Sequence, residues 1–536
     1  MALFQSRSRA PSPPPAGAHL NFMGGVSFDI QDPLLRLRLA ASSCFFGEPM
    51  YYHRDASDAR PVNKASRGRL TDAQIAHLRE TLQAIDPQAW RRLSPAELIE
   101  SAIDEALSAD PEATLKEAVR LRVDEHIRTT PQVILVRAAH HAKVRGTGLV
   151  RRYAPAILRR ADEPAVGLAY QMYRYGKPVP NALKRAWRDA LGRFDERSLA
   201  KYRLEAKVAK TVDVMNLVHP RSAAVDKLAR GELSTTDQTW ESIVSARGSS
   251  ASSWTEALPV MGHMALLRNL RNLLQAGVSP DAFLSQLVAG AEGGQQLPFR
   301  YYSAYRAVKE AGSQVPSGAV LDAVERCLVR SLGDLPRFSG RLMALTDNSG
   351  SAQNTATSSM GSMKISTIGN LTGVLAAMRA DDGHVGVFGD RLETMPVRSE
   401  ASPLLQLDAA EKLAVSIGQA TENGIWLFWD RAIRTKEHWD TVFVFSDMQA
   451  GHGGLFGASA SAYGDYQWTD RHHIDVAKLV AAYRARVNPS VQVFLVQIAG
   501  HQDTLVPELY DRTYILGGWG EGLLRFAAEM TALRGG

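Results

Sequence analysis

The spacing of apolar residues divides the chain into two parts. From Leu70 to about Leu332, apolar residues recur at intervals of three and four, and Pro or Gly interrupts the pattern at short distances. This pattern predicts successive short helices with brief connections, an arrangement typical of an α-solenoid of the HEAT kind. No strict sequence period accompanies the helices, so the repeat prediction depends on their order alone. Within this part, the serine-rich stretch 236–254 is predicted to be a loop.

After Phe338 the pattern changes to short apolar runs that alternate with helical segments. The apolar runs have the length of buried strands and are found at 342–345, 385–388, 441–446, 491–498 and 513–516. The helical segments cover 364–380, 408–418, 425–435, 471–486 and 520–533. Strands that alternate with helices predict a parallel, doubly wound sheet. The predicted fold class is therefore multidomain, with an α part followed by an α/β part.

The length of 536 residues suits two or three domains. We predict a disordered tail at 1–20, a helical domain at 21–337 and an α/β domain at 338–536. The tail is rich in Pro and Ser and lacks the apolar region of a signal peptide. Two cysteines, Cys44 and Cys327, are too few for a disulfide scaffold, and no apolar run is long enough to span a bilayer. A cytoplasmic protein is expected.

Charge is distributed unevenly between the two parts. Residues 338–536 contain 16 Lys and Arg against 21 Asp and Glu, a net charge of −5, so the rest of the chain contains 46 against 35, a net charge of +11. The stretch 129–188 has twelve basic side chains and two acidic ones. An excess of this size predicts a nucleic-acid surface, and the alternative is a set of solvated helix faces. The candidate residues in this region are Arg137, Lys143, Arg145, Arg151 and Arg152.

Candidate metal chemistry follows the first predicted strand of the α/β part. The sequence Asp347-Asn348-Ser349-Gly350-Ser351 places one carboxylate and two hydroxyls at alternate positions just beyond the strand. Ligands of open α/β sheets bind at this end of the strands. Oxygen-only donors suit Mg²⁺, and also Mn²⁺ or Ca²⁺. The alternative is a strand-to-helix turn in which the serines are helix caps.

The α/β part as a whole resembles a von Willebrand factor A domain with a metal-ion-dependent adhesion site. The resemblance implies that Asp347, Ser349 and Ser351 bind a divalent metal ion, most simply Mg²⁺, together with Thr421 and Asp447 in two later loops. Members of that family usually have Gly-Gly before the threonine, where this chain has Gln419-Ala420.

The order of the two parts, and four short motifs, resemble the Ro ribonucleoprotein autoantigen family, whose helical part is the TROVE module. The most specific motif is MALLRNL at Met264–Leu270, which follows Trp254. The other three are Asn21-x-x-Gly24-Gly25 with Arg36–Gly47 and Tyr51-Tyr52, Lys201-Tyr202-Arg203 with Leu217-Val218-His219-Pro220, and Leu297-Pro298-Phe299 with Tyr302–Gly312. The similarity is patchy, which indicates a divergent relative.

The resemblance to the Ro family implies a non-catalytic RNA-binding scaffold. Such a protein is a monomeric ring of helical repeats closed by the A domain. It binds Y-like small noncoding RNA on its outer surface and the single-stranded 3′ ends of misfolded noncoding RNA in its central hole, and bacterial relatives tether a 3′ exoribonuclease. By position, the family's RNA-binding elements match Lys201, Arg203 and His219. These residues also have simpler explanations, because surface lysines are usually solvated and a histidine before Pro220 can simply end a helix.

Two other functions remain open from the sequence. A protein–protein adaptor would grip a carboxylate of its partner through the metal ion, but an adaptor has no need for the basic excess of the helical part. A metal-dependent nuclease or phosphatase would normally place several carboxylates around paired ions. Asp347 and Asp447 are the two carboxylates here, and both are flanked by hydroxyl residues. This composition favours binding over catalysis.

Overall fold

The computed structural model describes the greater part of the chain. The described residues are 17–20, 26–43, 95–201, 209–233, 239–292, 296, 298–312, 316–332, 335–354, 364–419, 424–448, 450, 475–498, 503–507, 510–518 and 521–532. The first elements are two short strands, β1 (Ala18–Leu20) and β2 (Val26–Asp29), and a helix, α1 (Pro33–Ser43). Since β1 occupies 18–20, the tail predicted at 1–20 extends too far toward the C-terminus.

Fifteen more described helices follow before the large sheet, as the hydrophobic pattern predicts. They are α2 (Pro95–Ala109), α3 (Pro111–Val123), α4 (Thr129–His140), α5 (Leu149–Ile157), α6 (Glu163–Arg174), α7 (Asn181–Leu191), α8 (Glu196–Lys201), α9 (Thr211–Val218), α10 (Ala223–Ala229), α11 (Trp240–Arg247), α12 (Ala251–Ala257), α13 (His263–Gln275), α14 (Leu284–Gly290), α15 (Pro298–Lys309) and α16 (Gly318–Ser331). Short 3₁₀ turns at Leu258–Val260 and Pro280–Ala282 connect some of them.

These helices pack in an alternating order. Helix α3 contacts α5, α5 contacts α7 and α7 contacts α9, whereas α4 contacts α6 on the other side. Local signals set the helix limits, as at α3, where Asp110 accepts a hydrogen bond from the Ala113 amide at 2.9 Å and Pro111 occupies the first turn. These contacts arrange the helices in two rows, and each row covers the apolar face of the other. Stacked helix pairs have this arrangement.

The loop predicted at 236–254 is wrong, because α11 and α12 lie within it or begin there. The polar residues that led to the loop prediction are helix caps. The Thr239 hydroxyl accepts a hydrogen bond from the Ser242 amide at 3.2 Å, and the Ser250 hydroxyl accepts one from the Ser253 amide at 3.2 Å. Ser and Thr compete with helix hydrogen bonds inside a helix but stabilise its first turn, so their position matters more than their number.

The C-terminal part contains a six-stranded sheet in the order β5-β4-β3-β6-β7-β9. Its strands are β3 (Phe338–Asp347), β4 (Ala380–Phe388), β5 (Leu392–Val397), β6 (Thr441–Ser446), β7 (Gln492–Gln497) and β9 (Thr513–Gly517). The helices around it are α17 (Gly350–Asn354), α18 (Ile365–Met378), α19 (Pro403–Ser416), α20 (Gly424–Thr435), α21 (Val476–Arg486) and α22 (Glu521–Ala532). Five strands are parallel as predicted, but β5, which the prediction omitted, is antiparallel to β4 at the edge.

Three hydrophobic cores hold these elements together. One core joins α2 to α10 with part of α1. A second core joins α11 to α16 with the sheet face that α18, α19 and α22 cover. The third core fills the opposite sheet face beneath α20 and α21. The later helices and the sheet therefore share one continuous core, while the earlier helices have a core of their own.

The N-terminal segment joins the earlier helices to the α/β part. Strand β2 pairs antiparallel with the two-residue strand β8 (Asp503–Thr504), which lies between β7 and β9. Helix α1 packs against α2, α3 and β9. At Gly517 the backbone of Leu39 comes so close that an added Cβ would lie 2.9 Å from the Leu39 Cα. The helical part is thus attached to the sheet near both of its ends.

The second attachment lies where α15 and α16 meet α18 and α19. The Tyr302 hydroxyl of α15 donates to Glu411 of α19 at 3.3 Å, and Thr367 of α18 donates to the same carboxylate at 2.9 Å. Lys309 lies 3.6 Å from Asp408 beside them. None of the helices in the described ranges has the length and hydropathy needed to cross a membrane.

Candidate functional site

Two buried carboxylates lie at the carboxyl ends of neighbouring central strands. Asp347 is the last residue of β3, and Asp447 follows the last residue of β6. The two strands are parallel and pair from Leu342 with Thr441 to Thr346 with Phe445, so their ends meet at one edge of the sheet. Asp347 is completely buried and Asp447 is 2% exposed. The structure thus brings together two of the residues that the metal prediction names.

Hydroxyl and amide groups surround the Asp347 carboxylate. Its Oδ1 accepts a hydrogen bond from the Ser349 amide at 2.8 Å, and its Oδ2 accepts one from the Ser446 hydroxyl at 3.2 Å. The hydroxyls of Ser349 and Ser351 are 3.1 Å apart. Asp347, Ser349 and Ser351 therefore form one cluster of oxygen atoms, as the alternate spacing of the motif predicts.

Burial and the charge of Asp447 raise the pKa of Asp347 to about 7. A divalent cation would stabilise both carboxylates in their ionised form, and the donor set consists entirely of hard oxygen atoms. In the described part of the chain no three or more His, Cys, Asp or Glu side chains gather as a metal-binding group. A cation at this edge would therefore depend on hydroxyl oxygens as well as on the two carboxylates, and the residues present fit that chemistry.

Asn348, between Asp347 and Ser349, anchors the loop on its buried side. Its side-chain amide exchanges two hydrogen bonds with the side chain of Asn370 on α18, at 2.9 and 3.0 Å, and its backbone amide donates to the Phe388 carbonyl at 2.7 Å. Both asparagines are 1% exposed. The sequence analysis missed this pair, although an asparagine inside the very apolar helix 365–378 is a signal that could have found it.

The loop before Thr421 reaches the same edge of the sheet. The Gly350 amide donates to the Gln419 carbonyl at 2.7 Å, and the Gln419 side chain donates to Gln353 at 2.9 Å. Thr421 itself lies outside the described residues, and its role as a ligand stays a prediction. The contacts of Gln419 show that the loop leading to Thr421 starts beside the serine motif.

The basic stretch of the helical part forms an exposed surface on two adjacent helices and one turn. Helices α5 and α7 pack against each other, and the turn 141–148 precedes α5. Arg151 and Arg152 are 64% and 67% exposed, and their acidic neighbours Asp189 and Glu112 lie at 3.1 Å. The other exposed basic residues of this surface are Lys143, Arg145, Arg185 and Arg188. We call these six residues the basic surface.

Free donors remain on the basic surface. The side chains of Arg145 and Arg185 have no hydrogen bond or ion pair with any described residue, and among described residues the Lys143 ammonium donates only to the Ser108 carbonyl. Exposed ion pairs such as Arg151 with Asp189 contribute little to stability, so a phosphate can replace the carboxylate at small cost. The predicted residues Lys143, Arg145, Arg151 and Arg152 are therefore all accessible to a polyanion.

Arg137 is placed differently from the other predicted basic residues. Its side chain is 1% exposed and is ion-paired with Asp104, and its Nη1 donates to the Tyr170 hydroxyl at 2.7 Å. Glu100 lies 3.5 Å from the same guanidinium. These neighbours raise the pKa of Arg137 well above its usual value despite its burial. Because a buried, paired guanidinium cannot reach RNA, we correct the assignment of Arg137 and leave it out of the proposed surface.

The residues assigned from the Ro resemblance are only partly described. Lys201 is the last residue of α8, its side chain is outside the described residues, and so is all of Arg203. His219 is exposed, has a left-handed backbone with φ of 49°, and its amide donates to the Met215 carbonyl at 2.8 Å. His219 therefore ends α9 and also presents its imidazole to solvent.

These observations define a class of protein, a predominantly helical chain joined to a mostly parallel α/β sheet. The TROVE domain family model matches residues 227–320, from α10 to α16. The whole fold is similar to the crystal structure of the Deinococcus radiodurans RO (RSR) protein, with a TM-score of 0.56 and 14% identity over 80% of this chain and 93% of that chain. The family model thus identifies a TROVE-type segment in the later helices, and the similarity to the Deinococcus protein is one of fold; both agree with the resemblance that the sequence motifs predict.

Proposed function

We propose that this protein is a non-catalytic RNA-binding scaffold, and the observation that carries the proposal is the exposed basic surface on α5, α7 and the turn before α5. Guanidinium groups bind phosphate oxygens in a planar, bidentate manner, and several of them along two helices can follow an RNA backbone. The side chains of the acidic residues nearby, Asp189 and Glu112, are each 39% exposed, so their pairs with Arg151 and Arg152 lie at the surface. The neutralised phosphates would make binding dependent on salt.

The finer parts of the proposal follow the Ro family. The RNA partners would be Y-like small noncoding RNA and the 3′ single-stranded ends of misfolded noncoding RNA. The helices would form a monomeric ring of HEAT-like repeats at 21–337, closed by a von Willebrand factor A-like domain at 338–536. The attachment of the helical part to the sheet through α1 and again through α15 supports a closed ring. A 3′ exoribonuclease is a candidate partner, and a cytoplasmic location is in keeping with these roles.

We further propose that the α/β edge holds a divalent metal ion, most simply Mg²⁺, with Mn²⁺ or Ca²⁺ as alternatives. Asp347, Ser349, Ser351 and Asp447 would hold it, with Thr421 completing the set. Such an ion would supply a positive centre that attracts a carboxylate from a partner protein. Two carboxylates among hydroxyls are fewer than phosphoryl-transfer sites normally use, which supports binding over catalysis.

The direct test of the scaffold is whether RNA accompanies the protein. The full chain, purified from its own host at low salt, is expected to carry nucleic acid that raises the ratio of absorbance at 260 nm to that at 280 nm, and sequencing identifies the RNA. Binding of that RNA in a filter assay should weaken by roughly 10³-fold or more between 50 and 200 mM salt if about six phosphates are contacted. Protein that is free of RNA, and that ignores structured RNA at moderate salt, would contradict the proposal.

A protein–protein adaptor is the second candidate, and the buried pair Asp347 and Asp447 favours it. In that case the metal ion would be needed for capture of a protein partner, and the basic surface would have no role. Charge reversal on the basic surface would then leave partner binding unchanged, whereas Asp347→Ala would abolish it. The opposite result, with RNA binding lost on charge reversal and kept in Asp347→Ala, favours the scaffold.

A further inference from the structure

A cavity of about 360 Å³ lies at the end of the sheet opposite to Asp347. Strands β3, β4 and β5 form its floor, where Met343, His384 and Pro396 are neighbours in register. Helix α20 covers this sheet face. Its first residue, Gly424, lies against Phe388 at the end of β4, and the helix ends at Thr435. The cavity opens where the sheet face continues beyond the last turn of α20. Its size is at the small end of the range for ligand sites, about 300–1,000 Å³.

Two guanidinium groups line this cavity from different elements. Arg341 of β3 donates through Nε to Asp382 at 2.8 Å, and its guanidinium carbon lies 4.2 Å from the centre of the Trp439 ring. Its two Nη groups donate to no residue that the structure describes. Arg431 of α20 has its Nε 3.2 Å from Glu437. The two ion pairs hold both arginine side chains in place. Each side chain is about one-third exposed, so part of its donor set faces the cavity.

The indole of Trp439 adds a buried donor to the same cavity. Trp439 is 1% exposed, and its Nε1 has no acceptor among the described residues. Its ring is held between the guanidinium of Arg341 and the edge of His384, whose ring centre lies 5.2 Å away. A buried N–H without an acceptor is unfavourable, and a bound ligand with an oxygen atom would satisfy it.

The remaining wall is apolar and carries little negative charge. Met343 and Pro396 supply thioether and ring carbons, and Glu437 is the only carboxylate among the residues that line the cavity. Arg341 pairs with Asp382 and Arg431 with Glu437, so the cavity has no net charge, and its distinguishing property is a surplus of hydrogen-bond donors. A cationic or purely apolar ligand would leave the Nη groups of Arg341 and the Trp439 indole without an acceptor.

We propose that this cavity is a binding site for a small organic anion, a carboxylate or a phosphate monoester on a compact apolar body. The oxyanion accepts hydrogen bonds from Arg341, Arg431 and the Trp439 indole, and the apolar body packs on Met343 and Pro396. The site lies at the other end of the sheet from the candidate metal cluster, and it requires neither the metal ion nor RNA. The inference therefore goes beyond the proposed function and can fail separately from it.

Calorimetry on the full chain tests the site with defined probes. Benzoate and phenyl phosphate carry the two oxyanions on the same apolar body, and adenosine 5′-monophosphate tests whether a nucleotide is the source of the phosphate. At least one of them is expected to bind saturably, and to bind more tightly than inorganic phosphate, benzyl alcohol and benzylamine. If no anion saturates the protein at about 10 mM, or if benzyl alcohol or inorganic phosphate alone binds as tightly, the proposal is wrong.

Variants locate the binding in this cavity. Arg431→Gln is expected to lower the affinity for the probe about tenfold, because a charge-assisted hydrogen bond is lost. Trp439→Phe keeps an aromatic ring without the N–H and should lower the affinity for the probe several-fold. Arg434→Gln is the matched control, since Arg434 lies on the same last turn of α20, pairs with Asp430 and does not line the cavity. Should Trp439→Phe fail to fold, the comparison of Arg431→Gln with Arg434→Gln decides, and equal affinity in those two variants would overturn the proposal.

Discussion

The basic helices and the acidic edge of the sheet use charge in opposite ways. On α5 and α7 the arginines are exposed and spread over two helices, and their acidic neighbours are exposed as well. At the sheet edge, two carboxylates are buried side by side, with hydrogen bonds that hold one of them in place. Exposed charge attracts any polyanion at long range and is screened by salt. Buried charge of one sign is stabilised by a specific counter-ion or is neutralised by a proton.

Arg137 sharpens this comparison because it is a buried charge inside the basic helical part. It lies between Asp104, Glu100 and the Tyr170 hydroxyl, in a network that connects α2, α4 and α6. The same residue type on the next helix is more than half exposed. The difference teaches that the net charge of a region is divided between structural and surface arginines, and only the second group is available to RNA.

The largest expected effect is on stability, from Arg137→Ala. Removal of Arg137 takes one of two guanidinium neighbours from the buried Glu100, which keeps Arg174 at 3.6 Å, and breaks the pair with the partly buried Asp104. Breaking a buried pair costs about 3–5 kcal/mol, and the lower end of this range is expected here. Urea unfolding followed by circular dichroism measures the change, with the exposed Arg159→Ala as control. Unchanged stability would mean that the Arg137 network contributes nothing, and the contrast between buried and surface arginines would fail.

The next effect is on RNA affinity, from reversal of four exposed charges. The variant Arg145→Glu, Arg151→Glu, Arg152→Glu and Arg185→Glu should bind RNA about 100-fold more weakly at 50 mM salt, with a flatter dependence on salt, because several phosphate contacts are lost.

The matched control reverses four exposed charges of the α/β part, Arg391, Arg398, Lys412 and Lys478, and should change RNA affinity by less than about threefold. Filter binding with the co-purified RNA measures both variants. Equal losses in the two variants would show that overall charge, not the basic surface, determines affinity.

A smaller effect concerns the metal ion at the sheet edge. Mg²⁺ at 100 times its Kd should stabilise the wild type by about 2.7 kcal/mol, and Asp347→Ala should remove this gain. Asp382→Ala, which removes an exposed aspartate at the other end of the sheet, is the control that should keep the gain. Thermal unfolding with and without Mg²⁺ measures the difference. Stabilisation by Mg²⁺ that survives in Asp347→Ala would place the ion elsewhere.

The smallest expected effect tests the junction between the two regions. Tyr302→Phe removes the hydroxyl that donates to Glu411, and one lost hydrogen bond of this kind costs about 0.5–1.5 kcal/mol. Tyr305→Phe is the control, because Tyr305 lies on the same helix and its hydroxyl makes no hydrogen bond with a described residue. Thermal unfolding measures the change, and if the two regions unfold together, a single transition should shift in Tyr302→Phe. Two transitions, with the shift confined to one of them, would show that the regions unfold separately.

The sequence predicted an element correctly wherever a local pattern of residues is compatible with only one type of secondary structure. Apolar runs between helices predicted five parallel strands, and the edge strand Leu392–Val397 was missed because its Glu393 and Pro396 interrupt the alternation. Asp347 and Asp447 were found because both end a strand, and parallel neighbours bring their ends together. Arg137 was misplaced because a count of charges does not say which face of a helix is covered.

By itself, the sequence determined the helical and α/β parts, their charges and the motif from Asp347 to Ser351, because these depend on periodicity, composition and spacing along the chain. Only the tertiary structure decided which charges are covered and which loops meet. It buried Arg137 and exposed Arg151, joined Asn348 to Asn370, and left a cavity where α20 stops short of the sheet end. The reason is physical: burial and long-range hydrogen bonds depend on how distant segments pack, and no local pattern specifies that packing.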